Sequence, residues 1–389
     1  MSDRAGVPPA SAGLTRGMLI TLGVSLAVIT IAGVKEIASI LAPTLLALVL
    51  AVAVQPLARV LRRHRWPGWL ATTITILAAW GILAALALSV AYCGVKFAAL
   101  IPQYSDDFSS LVKDVQDWMK SAGVGSDQAS NITSKLDPSK LAGFVASLLS
   151  AVLSAASNLF LIGALLLFFV ADGTGFAARL SGLRPQRPQV VVALESFAHG
   201  TRQYLVVTTV FGLIVAVIDT GVLWVMDVPE PILWGLLAFI TNYIPNIGFV
   251  IGLVPPAILA LLDSGVDKMI AVIVAYCLIN VVIQTFIQPR VIGDTVGMSA
   301  SLTFVSLIFW AWVLGPLGAL LAIPVSLLAK ALLIDVDPAA QWVRPLVSGS
   351  DELQSPLPGE DSAKNDDAGT DDAADGAPGK RAKPRHAGA

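Results

Sequence analysis

Eight apolar runs, at 18–34, 37–58, 69–92, 145–171, 205–226, 231–262, 269–287 and 299–334, fill most of the chain between two polar ends. Most are close to the ~20 apolar residues that a helix needs to cross a bilayer. Backbone in hydrocarbon must satisfy its own N–H and C=O groups, so only helices or closed barrels span. Long apolar runs without two-residue alternation are helical. The expected fold is an all-α polytopic membrane protein.

Composition agrees. Of 389 residues, 56% are hydrophobic and 13% charged, about half the ~25% charge of soluble domains. The net charge of −2 argues against a nucleic-acid partner. Cys93 and Cys277 sit in apolar runs, and His64, His199 and His386 are scattered, so neither a disulfide framework nor a His-based metal site is expected. No H-E-x-x-H, G-x-x-x-x-G-K-[ST] or G-x-S-x-G occurs. The chain therefore reads as a non-enzyme without a cofactor, and one that does not itself use a nucleotide to drive transport.

Polar segments divide the runs. Residues 1–16 form a polar N-terminus, and 17–96 hold the first three spans, with the link 59–65 (RVLRRHR) between the second and third. Residues 97–144 are an extramembrane insert. Within it Phe108, Leu111, Val112, Val115, Trp118 and Met119 recur at helical spacing, and Asp137-Pro138 reads as an N-cap opening a further helix. A fourth span covers 145–172 and ends at Asp172-Gly173, and an arginine-bearing connector covers 173–204. Arg-rich loops lie on the cytoplasmic side, which places both termini inside and the insert outside. Residues 205–340 form two units, each a plain helix (205–226 or 269–287) followed by an over-long block. The tail, 341–389, is low-complexity and expected to be disordered.

The over-long blocks carry the functional reading. Block 231–262 has 32 residues and block 299–334 has 36. A straight helix of the shorter would run about 48 Å through a hydrocarbon core of ~30 Å. Each block has a helix-breaking centre: Pro245 and Gly248 in the first, Gly315, Pro316 and Gly318 in the second. Matched interrupted segments point to a transporter binding site, because freed backbone groups survive at membrane depth only against protein or a wet cavity. The alternative is a pair of packing kinks. The blocks either span, giving eight crossings, or re-enter as hairpins, giving six. The hairpin form puts the net-acidic 263–268 loop outside and Arg290 inside, and makes the blocks enter from opposite faces.

Polar residues inside apolar runs are the candidate site. Asn280, Gln284 and Gln288 fall at i, i+4 and i+8, one stripe on one helix face. They form either a hydrogen-bonding wall for a polar solute or glue between helices. Asn242, Tyr243 and Asn246 flank the first break and offer an opposite wall, or Asn246 caps the second half-helix. Asp219 lies within 205–226 and is a coupling-ion candidate, as intramembrane acids are by default. Arg202 reads as an interface anchor, and Trp310 and Trp312 as packing.

The stretches Trp234-Gly235-Leu236-Leu237-Ala238-Phe239, Asn242-Tyr243-Ile244-Pro245-Asn246-Ile247-Gly248, Pro289-Arg290-Val291-Ile292-Gly293 and Leu307 to Gly318, closing on Pro324, resemble the autoinducer-2 exporter family. The likeness covers about 17–340 and includes the insert's opening, Leu100-Ile101-Pro102-Gln103-Tyr104. Phe249 stands where many members carry a second proline, which leans toward the quorum-signal exporter branch. The resemblance implies an inner-membrane secondary transporter that exports the small molecule autoinducer-2. It also implies a homo-oligomer of pentamer type, with a scaffold region and a moving broken-helix region. Some relatives resemble sodium/proton antiporters. On this reading Asn242, Asn246, Asn280, Gln284 and Gln288 contact solute, and the Gly/Pro residues shape the breaks.

Overall fold

The computed structural model describes residues 15–121, 138–245, 247–288, 299–337 and 340. Among them the chain is helical, with no strand. Helix α1 (Arg16–Glu36) opens on Thr15, whose hydroxyl accepts from Met18 N. It is followed by α2 (Ala38–Arg63), α3 (Gly68–Gln103) and α4 (Ser105–Ser121). Next come α5 (Pro138–Leu183) and α6 (Pro188–Val225). Five described helices or stretches are long and apolar enough to cross a bilayer: Ala38–Arg63, Gly68–Phe97, Pro188–Val225, Ile247–Ser264 and Val266–Gln284. Large apolar side chains on the outside, such as Leu88, Phe160 and Val225, present a lipid-facing surface.

Helices cross some of the boundaries drawn from composition. α3 runs to Gln103, well into the polar insert. The helix that starts at Pro138 does not stay in the insert but continues as the fourth apolar run. Asp172-Gly173 ends that run without ending the helix. A lone glycine costs a helix only about 1 kcal/mol, and the Gly173 carbonyl accepts from Gln55 Nε2 at 3.2 Å. Only Arg184–Arg187 then separates α5 from α6.

The first over-long block is a hairpin. α7 (Pro231–Thr241) starts after Glu230, which takes left-handed backbone (φ 54°) and pairs with Lys96 at 2.9 Å. The chain turns over 242–245 and returns as α8 (Ile247–Ser264). The arms are antiparallel: Trp234 packs in one cluster with Ala257 and Ala260, and Gly252 faces Ala238. Gly265, at φ 90°, links α8 to α9 (Val266–Asn280), whose last turns widen into a π-helix, Val281–Ile287.

The second block is also a hairpin. α10 (Ala300–Leu314) is capped by Ser299, turns at Gly315 (φ 70°), and returns as α11 (Pro316–Leu320) and α12 (Ala322–Lys330). Trp310 Nε1 donates across the turn to Ser326 Oγ at 2.9 Å. Gly315 is required by its positive φ, which side chains disfavour.

The glycines after the prolines allow both hairpins to close. A Cβ on Gly248 would collide with the Thr241 carbonyl oxygen, and one on Gly318 with the Trp310 carbonyl oxygen. In each hairpin the returning arm is pressed backbone-to-backbone against the entering arm. Small residues permit such contact inside a membrane, where packing rather than water drives association.

The hairpins point in opposite directions. Lys268 Nζ reaches the Asp227 carbonyl at 3.3 Å, and α4 packs on α8, so the Gly265 link lies at the α4 end. Val313 and Leu314 at the second turn pack with Ala42 and, at the α1–α2 link, Val34 and Ala38. The second hairpin therefore enters from the Arg-rich end and its turn points toward the α4 end. Of the two forms open to the sequence, the structure takes the hairpin one. α6 is the common wall. Its middle packs on α7, and Phe197 and Tyr204 pack with Ile323 and Leu327 of α12.

Candidate functional site

The first break, α6 and α9 enclose a small cleft. It is lined by Val215 and Asp219 of α6, Ala238, Thr241 and Asn242 at the end of α7, Phe249 and Gly252 of α8, and Tyr276 and Asn280 of α9. It has room for about one water-sized molecule.

Asp219 is the dominant feature. It is fully buried, and neither carboxyl oxygen has a hydrogen-bond partner among the described residues. The Tyr276 hydroxyl, also buried, is equally unpartnered. Burying an isolated carboxylate costs far more than burying a neutral polar group. Burial without a partner therefore disfavours a bare carboxylate at this position.

The amides around it are held by backbone. Asn242 Nδ2 donates to the Thr208 carbonyl at 3.1 Å, and a Cβ on Gly212 would collide with that same amide. Asn280 Nδ2 donates to the Tyr276 carbonyl at 2.9 Å. Both amides thus anchor to a helix of the wall, with their oxygens left for other partners. Gln284 Nε2 takes up the Asn280 oxygen at 2.8 Å.

The break is braced from α6. The Tyr204 hydroxyl donates to the Tyr243 carbonyl at 2.8 Å, and the Tyr243 hydroxyl pairs with Thr209 Oγ1 at 2.7 Å. These bonds satisfy a backbone group that the missing helical turn leaves open. Phe239 meets Tyr243 edge to face.

The structure brings Asp219, Asn242 and Asn280 together in the cleft. Gln284 is exposed and Gln288 half-buried. Gln284 stays beside Asn280 through their shared hydrogen bond, one turn beyond the cleft lining, where the helix widens into its π segment. Asn246 lies outside the described residues. Pro245 and Gly248 sit at the turn of the first hairpin, while Gly315, Pro316 and Gly318 form the second turn, away from the cleft. Trp310 packs on Phe309, and exposed Trp312 lies under Lys35 Nζ at 4.1 Å. Arg202 bonds Gln55 on α2. Sequence reasoning missed Thr241 and Tyr276. Tyr276 precedes Asn280 by four residues, so extending the stripe backwards would have found it. Among the described residues no group of three His, Cys, Asp or Glu is placed to hold a metal ion.

The chain is 31% identical over 322 residues to the AI-2 transport protein TqsA of Escherichia coli K12, covering 82% of this chain and 92% of that protein. It is 29% identical to a putative transport protein of Haemophilus influenzae, over 80% of this chain and 91% of the relative. It is also 29% identical to the putative transport protein YhhT of Escherichia coli K12, over 81% and 90%. The sequence profile described as AI-2E family transporter matches residues 24–336, which takes in both hairpins and every lining residue of the cleft. The chain belongs to the AI-2E transporter family.

Proposed function

We propose that this protein is a secondary transporter that exports a small polar signalling molecule of the autoinducer-2 type across the bacterial inner membrane. Both termini are cytoplasmic, and the protein works as a homo-oligomer, pentameric by resemblance to its family. The observation that carries the reading is the fully buried, unpartnered Asp219 in a cleft bounded by a helix break. An intramembrane acid facing a cavity marks an ion or substrate path. The likeness to the AI-2 transport protein TqsA supports AI-2 as the solute.

The cleft is too small for a solute as it stands, so the first hairpin moves against α6 in the cycle. Its hydrogen bonds to α6 are the two tyrosine bonds and the Asn242 amide, while Leu233, Trp234 and Gly235 of α7 pack along Leu223, Thr220 and Ala216, so the movement slides the hairpin along that packed face. In the open state Asn242, Asn246, Asn280, Gln284 and Gln288 contact solute, with Pro245, Gly248, Gly315, Pro316 and Gly318 shaping the breaks. Asp219 carries the coupling cation, a proton in the first instance.

A second reading is supported by the water-sized cleft, which suits an ion better than a solute: a sodium/proton antiporter using the same Asp219. Inverted vesicles separate the two. Export predicts uptake of labelled autoinducer-2 that responds to a proton gradient. Sodium uptake without autoinducer-2 uptake favours the antiporter and removes the export reading.

A further inference from the structure

The end of the molecule opposite α4 holds a positive charge that the transport reading does not use. Arg202 lies where α6 passes from its polar first turns into its apolar stretch. Its guanidinium is set among three helices. Nη2 reaches Gln55 Oε1 of α2 at 3.4 Å, and Gln55 is itself fixed by Nε2 on the Gly173 carbonyl of α5 at 3.2 Å. Arg202 Nε is shielded from solvent and has no partner.

Arg59 follows Gln55 by four residues on α2, so the residue that holds the Arg202 guanidinium shares its helix face with a second cation. Among the described residues no acid pairs with either. The acids nearby in sequence are engaged elsewhere, Asp172 with Arg179 and Glu195 with Arg184. Two cations converging on one glutamine without an acid repel, and a buried donor without an acceptor costs free energy. One oxyanion would relieve both conditions. A planar guanidinium presents its N–H groups in a fork that matches phosphate.

We propose that Arg202 and Arg59, positioned by Gln55, bind a phosphate group at the Arg-rich end of the protein. The ligand chemistry is a phosphate oxyanion, from a phospholipid headgroup or from free phosphate.

The test uses the full chain purified in mild detergent. Phosphatidylglycerol retention is read by native mass spectrometry, with and without inorganic phosphate as competitor. The parent retains the lipid, and Arg202→Gln weakens retention by about tenfold or more, the usual worth of a buried charge-assisted contact. Arg202→Lys keeps the charge, loses the fork and falls between. Arg184→Gln, an exposed arginine paired with Glu195, matches the parent. Displacement by inorganic phosphate identifies free phosphate as the ligand, and retention against it identifies the headgroup. Should Arg202→Gln fail to fold, Arg59→Gln, which alters an exposed side chain, must weaken retention in its place. Equal retention by parent and folded Arg202→Gln overturns the proposal, as does an equal loss in Arg184→Gln.

Discussion

Gly248→Ala probes the closure of the first hairpin. The added methyl would fall within contact distance of the Thr241 carbonyl oxygen, with the Thr241 carbonyl carbon also too close at 2.7 Å. Both are backbone atoms, so no side-chain rotation relieves the overlap. The arms must part by roughly an ångström, and overpacking of this kind costs about 1–3 kcal/mol. The same carbonyl accepts from Ile244 N at 2.8 Å inside the turn. Disturbing that bond at membrane depth adds about 1 kcal/mol. A total near 3 kcal/mol lowers the melting temperature by about 4 °C for a chain of 389 residues. The assay is thermal unfolding of purified protein in detergent, beside Gly81→Ala as control. Gly81 lies in α3 with nothing within 4 Å of an added Cβ, so its substitution should not lower the melting point. If Gly248→Ala melts with the parent, the arms do not press backbone to backbone and the account of the break is wrong.

Other outcomes follow from the same geometry. Tyr204→Phe keeps the ring against Ile323 and Leu327 but leaves the Tyr243 carbonyl without its donor. It should cost about 1–3 kcal/mol in thermal unfolding, and an unchanged melting point would show that the break finds another donor. A cysteine at Ser264 should be labelled by an impermeant reagent from the periplasmic face, because its loop shares the α4 end; labelling only from the cytoplasm refutes the hairpin topology. Gln284→Ala should reduce export without reducing protein in the membrane, and unchanged export takes Gln284 out of the solute path.

Much of the fold was legible because bilayer chemistry leaves few options. Apolar runs became helices, and Gly/Pro centres became turns. The arrangement of the site was only partly legible. Asn242, Asn280 and Asp219 stood out as polar residues in apolar surroundings, and they do meet. Gln284 keeps its place beside Asn280 but is exposed and does not line the cleft, which ends one turn earlier on α9. Thr241 escaped because a single hydroxyl in an apolar run carries no pattern of its own, and Tyr276 because the amide stripe was not followed one turn back. α5 runs past both ends of its apolar run for a related reason: composition marks where a helix leaves lipid, while hydrogen bonding decides where it ends.

The central claim is that the buried Asp219 carboxyl couples solute export to a proton. It is tested most directly in proteoliposomes holding either the parent or Asp219→Asn, an isosteric change that removes the ionisable group. Labelled autoinducer-2 flux is followed with and without an imposed pH gradient. The account predicts that the parent moves solute faster with the gradient, and that Asp219→Asn inserts in equal amount but no longer responds to it. Gradient-driven flux through Asp219→Asn at the parent's rate would contradict it.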